Sequence, residues 1–200
     1  MKRNIVFCLI AATYFLSGYM LTNHFQLFPP TMLMLFPFEN AIPMLSWTVL
    51  IYMTDYVYLL SILFILKDEK IDRFFYSFIL LATIHILVFT FYPTVYPRGG
   101  WQLPLTSFFD YILHYIRIID SPYNCFPSAH ISICFLGVFF IKRLKKELFP
   151  FFLAWAILIS ISTLTTKQHY FLDIIGGILV AAFSSYMIFK QRCTCNEKQN

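Results

Sequence analysis

Charged side chains are scarce in this 200-residue sequence: Asp, Glu, Lys and Arg make up 12% of it, against 59% hydrophobic and 20% aromatic residues. A soluble globule of this length cannot cover its surface with so little charge, which excludes that class and implies an integral membrane protein. Acidic residues are the scarcer sign, ten against fifteen Lys and Arg. The resulting net charge of +5 is scattered over short loops and forms no basic and aromatic array, which excludes a nucleic-acid partner. The five cysteines show no paired spacing. That excludes a disulfide framework, and Cys193-x-Cys195 lacks the further Cys or His ligands of a zinc site. No internal repeat and no low-complexity stretch interrupts the chain, so residues 1–200 read as a single domain.

Long apolar runs are abundant. A transmembrane helix needs roughly 20 residues to cross about 30 Å of hydrocarbon, and six runs qualify: Ile5–Leu21, Pro43–Leu66, Phe74–Tyr92, Phe126–Ile141, Pro150–Leu164 and Tyr170–Phe189. The expected fold is all-α, an integral membrane six-helix bundle. The first run follows Met1-Lys2-Arg3 but is long and lacks a small-x-small cleavage site, so it is expected to be a retained span. Basic residues stay on the cytoplasmic side. Lys2, Arg3, Lys67, Lys70, Arg73, Lys142, Arg143, Lys145, Lys146, Lys190, Arg192 and Lys198 fall on one side of this layout, and Arg98, Arg117 and Lys167 on the other. Both termini are therefore expected to be cytoplasmic, with the loops after the first, third and fifth spans facing outward.

Three stretches on the outward side carry the chemistry. In Ser162-Thr-Leu-Thr-Thr-Lys-Gln-His-Tyr-Phe-Leu-Asp173, His169 and Asp173 are four apart. On a helix they share a face, where the carboxylate can fix the imidazole tautomer and raise its basicity, and Lys167 adds a cation that suits phosphate. Phe126-Pro-Ser-Ala-His130 opens the fourth span. Pro127 is expected at the first helical position, with the N–H groups of Ser128, Ala129 and His130 pointing outward at the positive end of the helix dipole, an anion pocket beside which His130 can donate a proton. Arg98, set between Pro97 and Gly99-Gly100 in the longest outward loop, offers a planar fork that matches phosphate. Asp55 lies deep in the second span, where a carboxylate is costly unless paired; a functional role and a structural hydrogen bond explain it equally. Glu39 could approach the site from above or be a solvated loop acid. Asp110 and His114 are also four apart, on a short interfacial helix expected from Thr106 to Ile119. The first outward loop, with Phe28-Pro-Pro30 and Phe36-Pro-Phe38, is too proline-rich for regular helix.

Arg98, Pro127 to His130, and Ser162, His169 and Asp173 together resemble the type-2 phosphatidic acid phosphatase superfamily, with core motifs over about residues 91–177. Ala129 stands where that family has Gly, Phe91 where its first motif has Lys, Gly99 where Pro follows the Arg, and Thr163 where its third motif has Arg; Lys167 can replace one missing cation. The run from Thr166 to Asp173 is similar to the branch of inositol phosphorylceramide and sphingomyelin synthases. The resemblance implies a metal-independent, cofactor-free enzyme in which His169, oriented by Asp173, attacks phosphorus while His130 serves as acid and then base, with Arg98, Lys167, Ser128, Ala129 and Ser162 holding the phosphate. Its substrate would be a membrane lipid phosphate, a phosphomonoester or pyrophosphate, hydrolysed in a bacterial inner membrane at a site facing the periplasm or exterior. Headgroup transfer between lipids is the alternative reaction. A reading of another class, a non-enzymatic protein binding haem or metal through His130 and His169, is disfavoured by the neighbouring Arg98 and Lys167.

Overall fold

The computed structural model describes residues 2–66 and 69–197, with side chains over residues 6–66 and 70–190. Lys67, Lys198 and the side chains of Lys2, Arg3, Arg192, Cys193 and Cys195 lie outside the described residues. Eight α-helices form the described chain: α1 (Lys2–His24), α2 (Pro37–Ala41), α3 (Val49–Ile65), α4 (Glu69–Phe91), α5 (Phe108–Ile119), α6 (Ala129–Leu144), α7 (Phe149–Thr165) and α8 (Phe171–Glu197). The described residues contain no β-strand, and the expectation of an all-α fold holds. Five helical segments are long and apolar enough to cross a membrane: Val6–His24, Ser46–Ile65, Lys70–Phe91, Lys146–Thr165 and Phe171–Lys190.

The run expected as the fourth span departs from the pattern. Its helix, α6, starts at Ala129 instead of Phe126 and has 16 residues, a rise of about 24 Å at 1.5 Å per residue. The start is late because Ser128 is the N-cap, extended at φ −67° and ψ 118°. Pro127 therefore lies one position before the cap and not at the first helical position. Shortness goes with enclosure: α6 packs against α3, α4, α7 and α8, and Ile131, Cys134, Leu136, Phe140 and Ile141 along it are fully buried.

Pairings along the helices fix their directions. Phe7 stacks on Phe75 and Tyr19 meets Phe89, so α1 and α4 run parallel. Thr48 and Thr165 share a hydrogen bond of 2.8 Å while Tyr58 meets Phe152, so α3 and α7 are antiparallel. Ser132 donates to the Gly177 carbonyl and Phe140 packs on Phe189, so α6 and α8 run parallel. One end of the bundle consequently gathers the last turns of α1, α4 and α7 with the first turns of α3, α6 and α8. The opposite end holds cations: Arg143 lies 4.2 Å and Arg73 5.8 Å from the Phe189 ring centroid, and Lys142 lies 5.4 Å from that of Phe149.

Packing inverts the soluble pattern. Phe64 is 79% and Leu60 65% exposed, whereas Ser132, Ser184, Thr163 and His85 are buried completely. Lipid tails are as apolar as Leu, so such a bundle coheres through close packing and interhelical hydrogen bonds, each worth about 0.6 kcal/mol. Many hydroxyls inside it are satisfied locally: Thr54, Thr83, Thr90, Ser160, Thr163 and Thr166 each donate to a carbonyl three or four residues back, as apolar surroundings demand, whereas the Ser77 and Ser184 hydroxyls have no partner among the described residues.

Over the first-named end lie the connections. The 25–36 stretch is extended, as its prolines dictate, but Pro37 then opens the five-residue α2, a helix its composition had concealed. Thr31 and Thr94 pair through a backbone bridge, and so do Val95 and Tyr123. Helix α5 begins at Ser107, whose hydroxyl caps the Asp110 N–H while Asp110 accepts from the Ser107 N–H, a reciprocal capping box. Phe108, Tyr111, Tyr115 and Ile118 on α5 are exposed and Leu113 is buried, the division expected of a helix lying along a membrane interface.

Candidate active site

The turn from α7 into α8 places the principal histidine. Lys167 adopts φ 55°, and the Gln168 N–H bonds to the Thr163 carbonyl (3.0 Å) while the Lys167 N–H bonds to that of Leu164 (3.3 Å). These are the two bonds of a Schellman motif, with Lys in the left-handed position usually given to Gly. The turn delivers His169 to the start of α8, where His169 Nδ1 lies 3.0 Å from Asp173 Oδ2. The same oxygen accepts the Tyr170 N–H at 2.8 Å, so one carboxylate both caps the helix and holds the ring. Glu39 closes the adjacent position. Its Oε1 accepts the Phe171 N–H at 2.7 Å and its Oε2 the Phe36 N–H at 2.8 Å. Glu39 is thus neither a solvated loop acid nor in contact with a catalytic ring; it ties the first outward loop to the start of α8.

His130 comes from the first turn of α6. Its ring centroid lies 5.7 Å from that of His169, so the structure brings the two rings together. The α6 segment reaches α8 because Gly176 and Gly177 carry no side chain there. A Cβ at Gly177 would lie 2.8 Å from the Ser128 carbonyl oxygen, and one at Gly176 would lie 2.5 Å from the Phe126 ring. The anion pocket at this helix start is smaller than expected. The Ser128 N–H is taken by the Asp173 carbonyl at 3.1 Å, and the N–H groups of Ala129 and His130 remain without a backbone bond among the described residues. Ser128 Oγ accepts from the Ile131 N–H and keeps its own proton to give. Ser162 does not: its hydroxyl donates to the Ile159 carbonyl at 2.6 Å.

Arg98 sits above the turn as anticipated, but a second guanidinium accompanies it. Arg98 Nη1 donates to the Asp120 carbonyl (2.6 Å) and its Nη2 to Gln168 Oε1. Arg117, from α5, donates to the carbonyls of Trp101 (2.8 Å) and Thr166 (2.9 Å), and burial together with the neighbouring Arg98 cation brings its pKa down to about 10. Arg117 stays charged at neutral pH, and both guanidiniums grip the loop around His169. Lys167 is 1% exposed; its ammonium donates to the Glu39 carbonyl at 2.9 Å and lies 3.9 Å from the Trp101 ring centroid. Burial pushes its pKa down, against the pull of the Glu39 carboxylate. Asp120, half-buried beside Arg98, accepts the Tyr19 hydroxyl at 2.7 Å, and its carboxyl pKa is raised by desolvation in spite of Tyr19, Arg98 and His169. Asp110 and His114 stand apart: Asp110 caps α5, its pKa drawn down to about 2 by hydrogen bonds from Ser46 and the Ser107 backbone, and His114 is exposed.

Arg117, Asp120, Gln168 and Tyr52 are the members that sequence reasoning missed. The signal for Arg117 was its being one of only three Lys and Arg residues on the side expected to face outward. The group also concentrates unmet polarity: His130 Nδ1, Asp173 Oδ1, Gln168 Nε2 and the Nε atoms of Arg98 and Arg117 are buried without a hydrogen-bond partner among the described residues. Native proteins hold few such atoms, so five drawn from one group of residues mark a place built for a polar ligand. Two histidines, one oriented by a carboxylate, under a pair of guanidiniums can attack and protonate an oxyanion ester.

Comparison with known proteins agrees. A 78-residue stretch, 39% of this chain, is 37% identical to an uncharacterised protein, MJ0662, of Methanocaldococcus jannaschii and covers 30% of that protein's length. The family model described as the PAP2 superfamily matches residues 24–187, which takes in both histidines, both guanidiniums and every helix that positions them. The chain belongs to the PAP2 superfamily, the type-2 phosphatidic acid phosphatase family that its motifs resemble.

Proposed function

We propose that the protein is an integral membrane lipid phosphate phosphatase that hydrolyses a lipid phosphomonoester or pyrophosphate through a phosphohistidine on His169. Membership of the PAP2 superfamily supports a phosphatase-like enzyme. The observation that carries the finer reading is the His169 Nδ1 to Asp173 Oδ2 contact of 3.0 Å with the His130 ring 5.7 Å away. Asp173 fixes the Nδ1–H tautomer and leaves the Nε2 lone pair free to attack phosphorus. His130 gives a proton to the departing oxygen, then takes one from the water that releases phosphate from His169. Charge building on the equatorial oxygens meets Arg98, Arg117, Lys167, the Ser128 hydroxyl and the N–H groups of Ala129 and His130. Ser162 supports this set from beneath, through the last turn of α7.

In this reading six helices, α6 among them, cross the bilayer, both ends of the chain are cytoplasmic, and the site opens at the outer interface, where a lipid keeps its chains in the membrane. The collection of Lys and Arg at the end of the bundle opposite His169 supports that orientation. Transfer to a lipid alcohol instead of water remains the alternative reaction, favoured by the similarity of the 166–173 run to headgroup transferases. The deciding experiment measures phosphate release from phosphatidate, phosphatidylglycerol phosphate and isoprenyl pyrophosphate, with and without an alcohol acceptor, for the wild type and His169→Ala. Release that needs no acceptor and vanishes in His169→Ala is expected. Release that requires the acceptor would assign a transferase, and equal release by His169→Ala would end the proposal.

A further inference from the structure

His130 is held by a carboxylate of its own, from a helix the sequence motifs do not reach. On α3, Tyr52 and Asp55 are three apart and face α6. The Tyr52 hydroxyl lies 2.8 Å from His130 Nε2, and Asp55 Oδ2 lies 3.6 Å from the same nitrogen, too long for a hydrogen bond but within ion-pair reach. Asp55 is fixed in turn: its Oδ1 accepts the Tyr56 N–H at 2.7 Å, and its side chain is 11% exposed. The other ring nitrogen, His130 Nδ1, is buried and has no hydrogen-bond partner among the described residues. A carboxylate at this depth needs a reason, and His130 is the cation-forming group beside it.

We propose that Asp55 and Tyr52 are positioning residues that keep a proton on His130 Nε2, so that Nδ1 alone exchanges protons with the reacting oxygens. This rests on the reading of His130 as acid and base given above. The site then contains two histidine–carboxylate pairs of opposite sense. Asp173 holds Nδ1 of His169 and frees Nε2 for attack, while Asp55 and Tyr52 hold Nε2 of His130 and free Nδ1 for proton transfer. In the first step the His169 Nε2 lone pair forms the N–P bond, the P–O bond electrons leave with the departing oxygen, and that oxygen takes the Nδ1 proton of an imidazolium His130. The neutral Nε2–H ring that remains accepts a proton from water at Nδ1. The water oxygen forms the new P–O bond, and the N–P electrons return to His169. Asp55 stabilises the imidazolium at the start of the first step and at the end of the second.

Leaving-group dependence tests this, because an acid matters for an alkoxide and little for a nitrophenolate. Phosphoenzyme burst rates are measured with dodecyl phosphate and p-nitrophenyl phosphate for the wild type, Asp55→Asn and Tyr52→Phe, the last removing only a hydroxyl should Asp55→Asn fail to fold. The expected result is a loss of about 100-fold on dodecyl phosphate against less than about threefold on p-nitrophenyl phosphate, the mark of a weakened general acid. Equal losses on both substrates, or none on either, overturn the inference. The second readout is the ¹⁵N spectrum of the wild-type imidazoles, with His130 assigned by its disappearance in His130→Gln. Neutral His130 is expected as the Nε2–H tautomer, and an Nδ1–H tautomer overturns the inference whatever the kinetics. A wild type that turns over neither substrate would count against the phosphatase reading, and the tautomer would then decide the role of Asp55 and Tyr52.

Discussion

Asp173 serves three groups at once: its Oδ2 binds His169 Nδ1 and the Tyr170 N–H, and its carbonyl accepts the Ser128 N–H. Asp173→Asn keeps the last contact and can keep the second, yet an amide cannot stabilise the imidazolium and can hold the ring in the wrong tautomer. The variant should fold and insert while turnover falls by about three to four orders of magnitude, read as phosphate release at equal protein content; a loss below tenfold would leave His169 without need of its carboxylate. Cys125 gives a second expectation. This cysteine lies between α5 and α6 and is 2% exposed, donates to the Pro122 carbonyl at 3.1 Å, and has its thiol pushed well up by burial and the Asp173 charge. A membrane-impermeant maleimide at neutral pH should leave it unmodified in the native protein and label it after denaturation; rapid native labelling would show that the 121–126 segment opens. At this scale the sequence was informative where motifs are compact. His130, His169, Asp173 and Arg98 could be named because each sits in a short run with its neighbours in view. Arg117, Asp120 and Tyr52 could not, because each reaches the site only through the packing of another helix or loop; Gln168 stood beside His169 in view, and only the approach of Arg98 gave it a partner. Asp55 lay between: its cost in an apolar span made it conspicuous, and only the crossing of α3 with α6 supplied its partner.

Two elements carry most of the positioning, the α7–α8 turn and the first turn of α6 where it rests on α8. Lys167 holds a left-handed conformation that costs a non-Gly residue about 1–2 kcal/mol, and its ammonium is anchored on the Glu39 carbonyl and the Trp101 ring. Lys167→Gly relieves the backbone and deletes the cation, separating the two roles. Thermal unfolding should shift little, while activity should fall about 100- to 1,000-fold, the range for removing one charge-stabilising donor. Unchanged activity would reduce Lys167 to an anchor for the turn. At Gly177 a side chain would press on the Ser128 main chain, which cannot yield as a side chain can. Gly177→Val should destabilise by about 1–3 kcal/mol and displace His130 from His169, so that activity is lost before the fold is; full activity would mean the close approach is dispensable. The boundaries of these elements show what a sequence leaves open. The Gly-Gly pair signalled a close approach without saying that the Phe126–Ser128 segment makes it. Pro127 was expected at the first helical position, but with Ser128 as the N-cap and its N–H bonded to the Asp173 carbonyl it lies one position before the cap.

At the scale of the whole molecule, the parallel pairs α6–α8 and α1–α4 and the antiparallel pair α3–α7 collect every proposed catalytic side chain at one end and Arg73, Lys142 and Arg143 at the other. Five of the six apolar runs correspond to helical segments long and apolar enough to cross a membrane, and they were legible because lipid imposes a length on them. The shortness of α6 was not, since its flanking Phe126 is as apolar as the helix itself. Reporter fusions near residues 100 and 167 should read as external and fusions near residue 145 as cytoplasmic; a cytoplasmic signal near 100 or 167 would remove the outward-facing site. The central claim is the covalent step on His169. Protein incubated with ³²P-labelled lipid phosphate and quenched in denaturant should carry label that is stable in base, lost in acid and untouched by EDTA, and that maps to the peptide containing His169. Label should accumulate more slowly in His130→Gln, persist longer there, and be absent from His169→Ala. Stoichiometric label on His169→Ala, or turnover abolished by EDTA and restored by a divalent cation, would contradict the account.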